Sequence, residues 1–298
     1  MASSGRVSAL GYIAGWHVVR ALPSRIATDL FDCGADIAAR KSGPEQLRHN
    51  LARVLRVTPT DVPHEMIRAS MRSYARYWKE VFRLPSMNPA QVTASIDASV
   101  QGREHLEAAV RRGHGAVLAL PHSGNWDLAG VWLVHHHGKV TTVAERLQPE
   151  SLFRRFVRYR EQLGFEVLPV SGGQRPPFEA LADRLREGRI VGLLAERDLT
   201  AHGVPVSFFG EETRMPPGPA KLADHTGAPL LPVHCWNTDS GWGFKIEPPL
   251  DVSAGVAATT QALADRFAAN ITEHPADWHM LQPLWVSDLP ESRRSRPE

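Results

Sequence analysis

The chain is poor in cysteine, in long apolar runs and in charge of one sign, and each shortage excludes a class of protein. Cys33 and Cys235 are the only two cysteines in 298 residues. They give no disulfide framework and no partner at metal-ligand spacing, so buried thiols in a reducing compartment are expected. Against 32 acidic residues stand 34 basic ones, a net charge of +2, which argues against nucleic acid as the partner. The apolar stretch 7–22 is interrupted by Gly11, Gly15, His17 and Arg20 and falls short of the roughly 20 residues a membrane-spanning helix needs. Arg6 is its only early charge and no small-residue cleavage site follows, so it is a poor signal peptide and a cytoplasmic location is expected. G-x-S-x-G, G-x-G-x-x-G and Walker patterns are missing, which argues against an α/β-hydrolase nucleophile elbow and against dinucleotide or ATP chemistry.

What is present is a 43% hydrophobic chain, enough for one large α/β domain with a sizeable core. Residues 7–84 read as helical: Leu47, Leu51, Val54 and Leu55 recur at helical spacing, as do Met66, Met71, Tyr74, Tyr77, Trp78 and Val81. From about residue 100 the pattern changes to short β-rich runs between helices, namely GAVLALP, GKVTTVAE, FEVLPV, RIVGLLAE, APLLPVHCW and GFKIEP. Such alternation predicts a mostly parallel sheet with helices on both faces, in a single domain. Its parts are a helical region 1–99, an α/β core 100–288 and a disordered tail 289–298, in which PESRRSRPE lacks apolar residues. Ligands gather at the carboxyl ends of strands in such sheets, and His122, Glu145 and Glu196 fall at such ends.

In LALPHSGNWDLAG, Pro121 ends a strand and Gly124 and Asn125 start a helix, so His122 lies in the turn and can fold back toward Asp127. A neutral imidazole can take a proton from a hydroxyl, and a nearby carboxylate fixes its tautomer and stabilises the cation. Taken alone, H-x-x-x-x-D is a weak pattern, equally consistent with a helix-capping turn carrying an incidental His. Glu196 closes an apolar run, where a carboxylate needs a partner; Arg197 and His122 are both candidates, and a Glu-Arg pair capping a strand is the plain alternative. Arg160 shares a helix face with Phe153, Phe156 and Leu163, so it calls for a phosphate or for Glu145, unless its stem merely packs on the core with its head in water. Ser123 is read as a cap, and His135, His136 and His137 as a helix C-terminus rather than a metal site. The VPVSFFGEETRMPP segment reads as an apolar loop in which Phe208 and Phe209 could line an apolar tunnel. Gly218, Pro219 and Lys221 after it are a weak candidate anion site.

The blocks HSGNWD, AERLQPESLFRRFVRYREQLGFEVLPV, LLAERDLTAHGVPVSFFGEETRMPPGPAKLA and DWHMLQPLW resemble the lysophospholipid acyltransferase superfamily, in its branch with the lipid A biosynthesis acyltransferases. Within that branch the chain is most similar to members that acylate phosphatidylinositol mannosides. The resemblance spans nearly the whole chain and implies a glycerol-phosphate-acyltransferase-like fold. It also implies transfer of a chain from acyl-CoA, usually palmitoyl-CoA, to the 6-hydroxyl of the mannose on the inositol 2-position, with no metal or other cofactor. By position it makes His122 the general base, Asp127 the motif carboxylate, Glu196 a further acid in relay with His122, and Glu145 and Arg160 polar groups of the cleft; Arg197, Phe208 and Phe209 are the further substrate-contact candidates. Direct transfer needs no acyl-enzyme, which fits the missing nucleophile motif. Tyr12, Trp16, His17 and Arg20 suit an interfacial element, giving peripheral attachment to the anionic cytoplasmic face of the plasma membrane. Acylation of another lysophospholipid or glycolipid, acyl-CoA hydrolysis and non-catalytic lipid binding are the competing readings.

Overall fold

A computed structural model describes residues 15–16, 18–145, 150–172, 175–198, 202–239 and 241–290, with the side chains of 151 and 152 excepted. Arg146, residues 1–14 and the tail from 291 onward lie outside the described residues. The helical region comprises α1 (Ser24–Ala38), α2 (Glu45–Leu55), α3 (His64–Arg83) and α4 (Pro89–Asp97). It has its own small core, in which Ala35, Leu47, Leu51, Ile67 and Met71 meet. Those residues return every three or four positions, so one stripe of each helix is buried.

The α/β part follows as β1 (Val100–Gln101), α5 (Arg103–Arg111), β2 (Ala116–Leu120), α6 (Trp126–His137), β3 (Val140–Ala144), α7 (Glu150–Gln162) and β4 (Phe165–Pro169). It continues with α8 (Pro177–Arg186), β5 (Ile190–Leu194), β6 (Val204–Phe208), β7 (Glu211–Met215), α9 (Gly218–Thr226), β8 (Leu230–Asn237), β9 (Trp242–Ile246) and α10 (Val256–Glu273). Seven strands form one sheet in the order β1-β9-β8-β2-β5-β3-β4, parallel throughout except where β8 meets β9. The α/β architecture expected from the alternating pattern is therefore present. Alternate residues of the central strands supply two cores: Ala116 and Leu118 face α4 and α6, whereas Val117, Ala119, Val191 and Leu193 face α8, α9 and α10, as the two-residue period of a strand requires.

Several expectations need correction. The segment expected as a loop is an antiparallel hairpin, β6 with β7, closed by Phe209 and Gly210 at φ 53° and 86°. Two successive positive φ values are what a tight primed turn demands, and Phe-Gly hides a turn usually marked by Asn-Gly or Asp-Gly. Phe208 and Phe209 do not line a tunnel beside His122. Phe208 is buried on the far face of the sheet, stacked 5.9 Å from Trp285, whose indole N–H donates to the Phe208 carbonyl at 2.9 Å; Phe209 packs beside it at 4.6 Å. Gly218–Lys221 opens α9 on that same far side. Both cysteines are free, but only Cys235 is buried. Cys33 is exposed because α1 buries the stripe through Ala27 and Ala35, and a residue two positions from Ala35 points about 200° away from it.

Candidate active site

The two principal residues are brought together by strand register. Leu120 of β2 pairs with Leu194 of β5, so His122 and Glu196, each two residues beyond a paired strand end, emerge side by side at the carboxyl edge of the sheet. Glu196 Oε1 accepts the His122 backbone N–H at 2.6 Å and lies 2.7 Å from His122 Nδ1. Glu196 is wholly buried. Burial raises its pKa, but the His122 charge and the hydrogen bonds from His122 outweigh that and hold it below the ordinary value, so it is a carboxylate and can only accept. The proton between them is therefore donated by Nδ1, so in the neutral ring the lone pair falls on Nε2.

Asp127 is not the partner of His122. It stands in the first turn of α6, where its charge favours the helix N-terminus, and is held by Arg160 in a two-pronged contact, Nε to Oδ1 at 2.8 Å and Nη2 to Oδ2 at 3.2 Å. Tyr77 donates to Oδ2 at 3.2 Å. Arg160 thus does face inward, but toward Asp127 rather than Glu145. Burial lowers the Arg160 pKa, and Asp127 more than restores it, so the pair is a buried ion pair tying α7 to α6.

The turn between β2 and α6 is clamped from several sides. Gly124 has φ +57°, and a Cβ there would lie 2.5 Å from the Cys235 carbonyl carbon, so only glycine fits. Asn125, not Ser123, caps α6, accepting the Leu128 N–H at 3.1 Å; its amide donates to Glu80 Oε2 at 2.8 Å, which binds the turn to α3. Ser123 is fully buried beside His234, 3.1 Å from its Nδ1. The histidine run ends α6 as expected, and among the described residues no group of His, Cys, Asp and Glu is arranged to hold a metal.

His122 lies on a cleft of about 330 Å³ together with Glu145, Arg160, Arg197, Tyr74 and Trp78. Glu145 and Arg197 have no ion-pair partner among the described residues. Behind the cleft, sharing Trp126, Val143, Arg160 and Leu194 with it, an apolar void of about 70 Å³ runs into the sheet between Leu118, Gly192 and Leu133. Gln282 and His279 also line the cleft. The sequence reading did not single them out, because they arrive from the far end of the chain and belong to no periodic pattern.

A mostly parallel sheet with a polar cleft at its carboxyl edge and an apolar void behind it suits a reaction that joins a polar partner to an apolar one. A family model of bacterial lipid A biosynthesis acyltransferases matches residues 6–287, and the chain belongs to that family. It is 62% identical over 293 residues to a phosphatidylinositol mannoside acyltransferase of Mycolicibacterium smegmatis, covering 98% of this chain and 96% of that protein. A protein of the same name from Mycobacterium tuberculosis is 64% identical over 286 residues, with 96% and 90% coverage. A lipid A biosynthesis acyltransferase of Haemophilus influenzae is 23% identical over 197 residues, covering 65% and 59%. The chain is an acyltransferase.

Proposed function

We propose that this enzyme acylates phosphatidylinositol mannosides, moving a palmitoyl-type chain from acyl-CoA to the 6-hydroxyl of the mannose on the inositol 2-position. Relatives at 62–64% identity carry the acceptor in their names, and the cleft suits a sugar: the aromatic faces of Tyr74, Trp78 and Trp126 offer apolar surface beside the charged Glu145, Arg160 and Arg197. The apolar void would take the start of the acyl chain.

The observation that carries the mechanism is the buried Glu196 bound to His122 Nδ1. An acceptor hydroxyl is a poor nucleophile until its proton leaves, and His122 Nε2 takes that proton as the oxygen attacks the thioester carbonyl carbon. The imidazolium that forms is stabilised by Glu196 at 2.7 Å. As the tetrahedral intermediate collapses, the carbon–sulfur bond breaks, the electron pair leaves with sulfur, and the imidazolium returns its proton to the thiolate. No side chain is acylated; Ser123, the hydroxyl next in sequence, is buried against His234.

Labelled palmitoyl-CoA incubated with the purified enzyme, with and without mannosylated phosphatidylinositol, tests this. Label on the mannolipid is expected; free acid alone would support a hydrolase, and retention without turnover a carrier. His122→Ala should lower transfer by about 10²- to 10⁴-fold while acyl-CoA still binds. Wild-type turnover in that variant would refute the general-base role. We also assign the protein a peripheral seat on an anionic membrane face, supported by the apolar side chains that α1 presents to solvent; among the described residues no helix is long and apolar enough to cross a bilayer.

A further inference from the structure

Residues 277–279 run antiparallel to the catalytic turn. Gly124 N–H donates to the Asp277 carbonyl at 2.9 Å, Ser123 and Trp278 form a β-bridge, and His279 N–H donates to the His122 carbonyl at 2.7 Å. His279 is therefore fixed one chain away from His122 and borders the same cleft, its ring set among Tyr74, Tyr77 and Trp126.

Counting protons settles which ring nitrogen is bare. Ser73 Oγ lies 2.5 Å from Asp277 Oδ1 and 2.9 Å from His279 Nε2. A carboxylate only accepts, so the single Ser73 hydroxyl proton goes to Asp277, and the contact with His279 must be donated by Nε2–H. The amide of Asn237 supplies the other donor to Ser73 Oγ, at 2.9 Å. Nδ1 of His279 is left as an acceptor, buried and with no donor among the described residues. Such an orphan costs free energy unless a ligand fills it. Burial, aided by the charge of His122, pushes the His279 pKa down to about 3, so the ring stays neutral and keeps its lone pair at neutral pH.

We infer that His279 Nδ1 accepts a hydrogen bond from the acceptor sugar, orienting it toward His122. This rests on the acceptor being a polyhydroxylated glycolipid. The reacting hydroxyl has one proton and surrenders it to His122, so the hydroxyl that binds His279 is a neighbour on the same sugar. Ser73, Asp277 and Asn237 act through His279 as positioning residues that fix its tautomer.

The test separates the two ring nitrogens. His279→Gln retains an amide near Nε2 for Ser73 but removes the acceptor at Nδ1, whereas His279→Asn places an amide oxygen near Nδ1. Steady-state KM for the mannolipid is measured beside KM for acyl-CoA. His279→Gln is expected to raise acceptor KM by about 10- to 100-fold, well beyond any change in the KM for acyl-CoA, and His279→Asn to recover most of the loss. Wild-type enzyme with monodeoxy acceptors, independent of any variant's stability, should show one sugar position whose removal costs the same and adds nothing further in His279→Gln. Unchanged acceptor KM in His279→Gln, an equal rise in the KM for acyl-CoA, or no such sugar position would each overturn the assignment. If wild type acylates a different lipid hydroxyl, the proposed acceptor fails; the same comparison on that lipid then decides the His279 role separately.

Discussion

At the scale of single residues, the site is governed by where two carboxylates go once they are buried. Glu196 is 0% and Asp127 2% exposed, and each would be costly there without a partner. Glu196 takes the imidazole of His122, the base of the proposed mechanism; Asp127 takes Arg160 and so ties α6 to α7. A third residue matters by having no side chain. Gly192 lies in the middle of β5, between Leu118 of β2 and Thr142 of β3, yet a Cβ added there meets nothing within 4 Å. A glycine inside a central strand gives up packing and conformational entropy, and here the space it leaves is the void behind His122. If that void receives the acyl chain, Gly192→Leu should fill it. The variant is expected to prefer shorter chains, with activity on palmitoyl-CoA down at least about ten-fold relative to a short-chain donor, as the loss of several buried methylenes implies. Chain-length profiles of kcat/KM check this, and an unaltered profile would remove the void from the donor path.

At the scale of elements, charge also holds the far side of the sheet. Glu166 on β4 is bound by Arg184 of α8 at 2.9 Å, by Arg189 before β5 at 2.7 Å and by Thr141 of β3 at 2.9 Å. The hydrogen bonds from Arg184 lead in lowering its pKa from 4.5 to about 2, against the opposing effect of burial. Because the folded value is depressed, the contribution is full above pH 4.5 and is lost as pH falls toward 2. Its upper bound is on the order of 3 kcal/mol, reduced by partial exposure. Urea denaturation of Glu166→Gln against wild type should give a stability gap at pH 6 that narrows by pH 3; a gap of constant size would deny the linkage. Much of this architecture was legible in the sequence, since the apolar runs from GAVLALP to GFKIEP each contain a strand and Pro121 does end β2. The β6–β7 hairpin was not, because a Phe-Gly turn has no local signature. Nor was the choice between Glu196 and Asp127 as the partner of His122, which the sequence left open: it depends on β2 lying next to β5, 74 residues apart in sequence. His279, inside the quoted block DWHMLQPLW, was given no role for the same reason, its place being set by pairing with residues 122–124.

At the scale of the whole molecule, the helical region sets exposed apolar surface beside the cleft. On α1, Ile26, Leu30 and Ile37 are each more than half exposed, although Ala27 and Ala35 on the same helix are buried. Three large apolar residues on one exposed helix surface cost solubility unless something covers them. Between α1 and α3 an apolar groove of about 530 Å³ shares Tyr74 and Trp78 with the catalytic cleft. A bilayer covering α1 would therefore place its lipids next to the sugar site, with Arg25, Arg40 and Lys41 exposed at the same region to meet anionic headgroups. Replacing Ile26, Leu30 and Ile37 together by Ser should reduce co-sedimentation with phosphatidylinositol-containing vesicles by about ten-fold or more, because each apolar side chain buried in the interface contributes roughly 1–3 kcal/mol. Transfer to a detergent-dispersed acceptor should stay near the wild-type rate, since none of the three lines the catalytic cleft. Transfer to acceptor embedded in vesicles should fall with the binding. Undiminished vesicle binding by the triple variant would move the membrane contact to another face of the molecule, and lost binding with undiminished transfer would mean that the acceptor does not approach along α1.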